Sequence, residues 1–333
     1  MMRTYLITGG AGFIGSHLAE KLLESGERVY SIDNLTTGSA RNIAHLTKVY
    51  GQRFEQVTGS IEDLDKRGEL ALLVDLSDCI YHLAASVGVE KVFKEPAQTI
   101  ANNLGSTSAV LVHAAKKNKR FLFTSTSEVY GKGAENGSPL REDSALVLDS
   151  PNKDDLRVSY GLSKLIDEVW LLANFKEDRI RPTIVRLFNT VGPRQTGEYG
   201  MVLPRFIEAA LDGKPIEVRG DGSQTRCFTY VGDVVDALVG LVDCQKAIGE
   251  TFNVGSNREI SILKLAELVK GRLSSSSDIV FVPYEQAYGR GFRDMMRRVP
   301  DTSKIKDFIG WEATKSLEGI IDKTAEWIRS KNT

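Results

Sequence analysis

The chain has 333 residues, 41% of them apolar and 26% charged, with a formal net charge of −1. This exceeds the roughly 100–200 residues of one ordinary domain and is enough to bury a sizeable core. The near-neutral balance points to no nucleic-acid or anionic-membrane partner, and no apolar run approaches the about 18 residues of a membrane span.

The start, "MMRTYLITGG", reads as a short apolar strand running into glycines, not as a targeting leader. "SHLAEKLLESG" follows with helical spacing and a terminal Gly26, then the strand "RVYSID". "FEQVTGS" and "CIYHLAA" continue the series, followed by a helix over "TIANNLGSTSAVLVHAAKKN" and the strand "RFLFTSTS". After a polar linker, "LVLDSPNKDDL", come a helix from about Ser159 to Asn174 and the strand "TIVRLFN". Such alternation implies right-handed crossovers and a parallel sheet. The expected fold is α/β, a Rossmann-type doubly wound sheet over 1–188 that carries the catalytic residues. A smaller mixed α/β region over 189–333 would bind substrate, with no clean cut between the two. In that region "VGPRQTGEYG", "GKPIEVRGDGSQTRCFTYV" and "FRDMMRRVPD" punctuate helices expected at 202–212, 231–245 and 261–273.

Cys79, Cys227 and Cys244 are widely spaced with no CxxC. Neither a disulfide framework nor a metal site is indicated, and a reducing, cytoplasmic setting is expected. His17, His45 and His113 have no spaced partner and read as packing or surface residues, and His82 as support for a strand end.

Two motifs carry chemistry. "TGGAGFIG" places Gly9, Gly12 and Gly15 directly after a strand and at the opening of a helix. Glycine there allows the tight turn, the approach of backbone N–H groups to a pyrophosphate, and close helix–strand packing. Asp33 ends the second strand, where a carboxylate binds both ribose hydroxyls and repels a 2′-phosphate, which favours NAD over NADP. "SYGLSK" sets Tyr160 and Lys164 on one helix face, so that an ammonium can stabilise a phenolate. The phenol can then exchange a proton with a substrate hydroxyl as hydride leaves.

These motifs, with "HLAA", "NNLGST", "TSTSEVYG" and "RLFNTVGPR", resemble those of the extended short-chain dehydrogenase/reductases that remodel nucleotide sugars. The resemblance implies NAD as the cofactor, transient oxidation at sugar carbon 4, and Thr126, Tyr160 and Lys164 as the proton-handling trio. It implies that Gly9, Gly12, Phe13, Ile14, Gly15, Asp33 and Asn34 hold NAD. Ser60 and Ile61 would flank the adenine, although many relatives carry Asp where this chain has Ser60, and Ala84 and Asn103 would line the cleft. Tyr160 and Lys164 would also reach the nicotinamide ribose. Asn189, Arg226 and Arg298 would hold the diphosphate of a UDP-sugar. It further implies a homodimer through helices around 98–117 and 159–174.

Glu128 separates the possible reactions. Simple carbon 4 epimerases tend to carry a small or hydroxyl residue there. "TSTSEVYG" looks most like UDP-glucuronate decarboxylases, the preferred expectation, in which oxidation creates a β-keto acid that loses carbon dioxide. A UDP-sugar 4-epimerase, a 4,6-dehydratase and a non-catalytic NAD-binding sensor or scaffold remain open at this level.

Overall fold

The computed structural model describes residues 2–134, 137–151, 156, 158–197, 201–288 and 295–331. Its centre is a seven-stranded sheet of β1 (Thr4–Thr8), β2 (Arg28–Asp33), β3 (Phe54–Thr58), β4 (Cys79–His82), β5 (Arg120–Thr126), β6 (Arg181–Leu187) and β7 (Thr251–Val254). The spatial order is β7-β6-β5-β4-β1-β2-β3, and every neighbouring pair is parallel. Strand order therefore reverses between β1 and β4, where loops at the carboxyl ends splay apart and leave a crevice. β5 is buried at all seven positions, which suits its near-continuous apolar and hydroxyl sequence for a parallel strand covered on both faces.

Helices α1 (Phe13–Glu24), α2 (Pro96–Lys116), α3 (Val158–Lys176), α4 (Val202–Leu211), α5 (Val231–Asp243), α6 (Ile262–Arg272) and α7 (Leu317–Lys331) build the layers used below. Leu18 and Leu22 of α1 and Val234 and Leu238 of α5 share one core with Ile7, Leu122 and Val185. The other sheet face packs Val110 and Leu111 of α2 and Leu171 of α3 against Phe121 and Ile184. A separate core joins Phe206 of α4, Leu265 of α6 and Ile321 of α7 around Ile216 and Val218. Residues beyond 189 thus make a core of their own but also return to the sheet. α5 covers one face, and β7 pairs with β6, covering backbone groups that would otherwise lie at an edge.

Part of the expected linker, residues 152–155, lies outside the described residues, as do 198–200 of "VGPRQTGEYG" and 292–294 of "FRDMMRRVPD". Among the described residues, no helix is long and apolar enough to cross a membrane.

α3 is turned against its own hydrophobicity. It buries Lys164, Asp167 and Glu168 while Ile166, Val169, Trp170 and Phe175 stay exposed. The buried charges have partners. Arg186 of β6, itself 7% exposed, grips Glu168 with Nη2–Oε2 at 2.7 Å and Nε–Oε1 at 3.0 Å. Ser125 of β5 donates to the same carboxylate at 2.5 Å. The pair fixes α3 to the two strands that end at the site.

Candidate active site

One cleft of about 1110 Å³ lies over the crevice, enough for two nucleotide-sized ligands end to end. Its first end is the glycine turn. Gly9 has a φ of +74° and donates its N–H to the Ile32 carbonyl at 2.8 Å, closing the turn onto β2. A Cβ on Gly15 would overlap the Gly9 carbonyl oxygen, so only glycine lets α1 start this close to the turn. The α1 N-terminus has Gly12 as its cap residue and no side-chain cap, which leaves backbone N–H groups for an anion.

Asp33 accepts from Ala11 N at 3.0 Å and Leu35 N at 2.7 Å, and burial pushes its carboxyl above the usual range against those bonds. The Ser60 hydroxyl accepts from Asp63 N at 3.1 Å and caps the helix Ile61–Lys66. Serine and aspartate are both strong caps, so Ser60 fills this local role as the Asp expected from the resemblance would. Glycine cradle, uncapped helix start and strand-end acid together fit an adenine dinucleotide.

Thr126 ends β5. Its hydroxyl accepts from Glu128 N at 3.2 Å, starting the turn Ser127–Tyr130, and shares a hydrogen bond with the Tyr160 phenol. α3 passes so near this turn that a Cβ on Gly161 would stand 2.8 Å from the Glu128 carbonyl oxygen. That glycine brings Tyr160 up to Thr126. Burial is the main cause that raises the Tyr160 phenol above its ordinary value, and the Glu128 charge adds to it. The Thr126 hydrogen bond and the Arg298 charge pull it down. Lys164, expected to pull it down too, holds its ammonium 4.5 Å from the centre of the Phe123 ring. Burial lowers that ammonium to about 8, opposed by Asp167 and Glu168.

At the other end Arg226 and Arg298 are paired neighbours on parallel strands, Thr225–Cys227 and Arg297–Arg298. In-register residues share a sheet face, so both guanidiniums serve the cleft. Arg298 points at the turn after Thr126. Its Nη1 is 3.3 Å from Ser127 Oγ and 3.6 Å from Glu128 Oε1, and its buried Nε has no hydrogen-bond partner. Asn189 donates to the Cys227 carbonyl at 3.0 Å and also lines the cleft.

The structure brings Gly9, Gly12, Phe13, Ile14, Gly15, Asp33, Asn34, Ser60, Ile61, Ala84, Thr126, Glu128, Tyr160, Lys164, Asn189, Arg226 and Arg298 to the lining of one cleft. Asn103 stands behind it. Its amide accepts from Ser86 N at 2.8 Å and donates to Ser163 Oγ at 3.0 Å, while neighbouring Asn102 faces the cleft. Arg219, Gln224 and Tyr284 line the cleft without having been singled out from sequence. Gln224 lies inside a motif already noted, "GSQTR"; nothing local marks Tyr284. His17, His45 and His113 make structural bonds to the Pro193 carbonyl, Glu20 and Asp65.

A family model described as GDP-mannose 4,6-dehydratase matches residues 6–324. The chain is 39% identical to the UDP-N-acetyl-alpha-D-glucosaminuronate decarboxylase of Bacillus cytotoxicus, over 99% of this chain and 98% of that protein. It is 35% identical to UDP-glucuronic acid decarboxylase 1 of Danio rerio, over 97% of this chain and 72% of that protein. Among solved structures it resembles UDP-glucuronic acid 4-epimerase from Bacillus cereus in complex with UDP-glucuronic acid and NAD. There the TM-score is 0.86 at 29% identity, covering 98% of this chain and 99% of that one.

Proposed function

The chain belongs to the nucleotide-sugar epimerase/dehydratase family of extended short-chain dehydrogenase/reductases, and on that premise we propose that it is an NAD-dependent decarboxylase of a UDP-hexuronate. The carrying observation is the Ser127–Glu128–Arg298 cluster beside Tyr160. Tyr160 and Thr126 address the oxygen on sugar carbon 4. A group one carbon further, on carbon 5, then reaches Arg298, and a guanidinium suits a carboxylate there. Arg226, one strand over, is left for the diphosphate. This assigns Arg298 to the sugar carboxylate instead of the diphosphate expected from sequence.

Gly9, Gly12, Phe13, Ile14, Gly15, Asp33, Asn34, Ser60, Ile61 and Ala84 would hold NAD, with Tyr160 and Lys164 towards its ribose, and the bound cofactor would supply a reversible hydride acceptor for carbon 4. Tyr160 takes the hydroxyl proton, leaving a ketone β to the carboxylate. The carbon 5–carboxylate bond breaks, carbon dioxide leaves, and the electron pair delocalises onto the carbon 4 oxygen. Thr126 and Tyr160 hydrogen-bond that oxygen as charge develops. Arg298 orients the carboxylate across the ring, and Glu128 tempers the grip by competing for the guanidinium. Carbon 5 then takes up a proton from solvent on the Glu128 side, and carbon 4 regains its hydride and the proton held by Tyr160.

Incubating purified protein with UDP-glucuronate and with its 2-N-acetyl counterpart, and resolving products by mass, tests this. Loss of carbon dioxide from either supports the proposal, and the better substrate fixes the carbon 2 substituent. An equal-mass isomer alone would replace it with 4-epimerisation, the second reading, which the Bacillus cereus likeness favours. Arg298→Met is expected to lower kcat/KM for the uronate at least about 30-fold, the low end for breaking a buried charge-assisted pair. The exposed face of α3, with Val169 at 61% and Ile166 at 43%, supports a homodimer, and the three free cysteines suit the cytoplasm.

A further inference from the structure

Behind the cofactor end of the cleft runs a buried polar chain that the reaction above does not use. Ala84 N–H donates to Thr8 Oγ1 at 3.2 Å, and Thr8 Oγ1 lies 2.7 Å from His82 Nδ1. His82 Nε2 lies 3.1 Å from Thr107 Oγ1, which donates to Asp167 Oδ2 at 2.9 Å. Thr8, His82 and Asp167 are fully buried and Thr107 is 1% exposed. One proton arrangement gives every hydrogen an acceptor. The Thr8 hydroxyl donates to Nδ1, His82 carries its proton on Nε2 and donates to Thr107, and Thr107 donates to the carboxylate. The chain runs one way, from the loop that lines the cofactor cleft to Asp167.

Asp167 Oδ1 is buried with no hydrogen-bond partner. Three residues earlier on the same helix face stands Lys164, also buried, and no hydrogen bond joins the two. An unpaired buried carboxylate is costly, and so is an unpaired buried ammonium; side by side each offsets the other. We propose that Asp167, aligned through Thr8, His82 and Thr107, is the counter-charge that keeps Lys164 cationic inside the closed site. It is a positioning residue, acting through Lys164. The inference rests on reading Lys164 as part of the proton-handling pair.

The other charges around Lys164 do not take this role. Glu168 is already neutralised by Arg186. His82 is driven down to about 3 by burial and by the Lys164 charge, so it is neutral. The Phe123 ring offers its face, and Tyr160 is the group to be activated. The Glu128 and Arg298 charges bear on Tyr160. Burial lifts the Asp167 carboxyl to about 6, and the Lys164 charge and the Thr107 hydrogen bond oppose it. Asp167 is therefore ionised at neutral pH, when Lys164 must be charged.

The test follows Lys164 by NMR in NAD-bound protein labelled with 15N-lysine, comparing wild type with Asp167→Asn. The expected midpoint is near 8 in wild type, and lower by about one pH unit in the variant, as for loss of a nearby opposite charge. The alkaline limb of nicotinamide reduction by UDP-glucuronate should move down equally, with KM unchanged at the plateau. An unchanged Lys164 midpoint overturns the proposal, even if the variant is less stable. Should Asp167→Asn not fold, Thr107→Val removes the aligning donor and must shift the limb the same way. His82 is read independently by its ring 15N shifts. The Nε2–H form from pH 6 to 9 supports the chain, and the Nδ1–H form or imidazolium overturns it. If no UDP-sugar reduces the nicotinamide in wild type, the functional reading fails, while the Lys164 midpoint still decides the counter-charge.

Discussion

Glu168→Gln tests whether α3 is held to the sheet by the buried ion pair. In the wild type Arg186 makes three contacts with Glu168, at 2.7, 3.0 and 3.3 Å, with the two side chains 7% and 3% exposed. Ser125 adds a fourth bond, and the Arg186 guanidinium stacks 4.7 Å from the Tyr130 ring centre. Removing the carboxylate charge leaves a buried guanidinium without its counter-ion, which costs about 3–5 kcal/mol. At about 2 °C per kcal/mol for a chain of this size, the midpoint should fall by roughly 6–10 °C. Thermal unfolding with saturating NAD in both samples removes differences in cofactor loading. Replacing the pair together, Glu168→Gln with Arg186→Met, should recover much of the loss, because the uncompensated charge is gone. Ser125 and Arg186 are paired across β5 and β6, one residue before Thr126. The single variant should therefore also lose kcat as Thr126 and Tyr160 lose their register. A cost below about 1 kcal/mol, the range of an exposed pair, or a double variant worse than the single, would refute the reasoning.

Gly15→Ala forces a methyl onto the Gly9 carbonyl, so the purified variant should carry little NAD, read by the nicotinamide-to-protein absorbance ratio; full occupancy would count against the cradle. His82 binds its proton more weakly folded (about 3) than unfolded (6.5), so its contribution is present above 6.5 and lost as pH falls towards 3. Across that window wild type should lose about 1.4 kcal/mol per pH unit more than His82→Gln, measured by urea unfolding at stepped pH. Val169→Asp puts a charge on the exposed apolar face of α3. Light scattering should show the proposed dimer in wild type and monomer in the variant, and a dimer in both would remove that face from the interface.

Much of the site was legible because its residues sit next to one another in the chain. A glycine turn between strand and helix, an acid closing the next strand, and a Tyr-xxx-Lys helix each need only local spacing. Helices expected at 202–212, 231–245 and 261–273 appear as Val202–Leu211, Val231–Asp243 and Ile262–Arg272, for the same reason. The family resemblance extended this to Thr126 and to Arg226 and Arg298 as diphosphate ligands. What lies beside each arginine depends on strand pairing. Arg298 lies 171 residues from Ser127 in sequence and 3.3 Å from it in space.

The sequence by itself determined the strand–helix alternation, the glycine turn after β1 and the placement of Tyr160 and Lys164 on one helix, since these depend on propensity and on spacing within a few turns. Only the tertiary structure decided which side of α3 faces inward. Its apolar residues argue for burying Ile166 and Val169, but the fold buries Lys164, Asp167 and Glu168 instead. Those charges can be buried because Arg186, Ser125, Thr107 and His82 arrive from three strands and another helix to hold them. No local pattern carries that information, because the energy of a buried charge is set by partners distant in sequence.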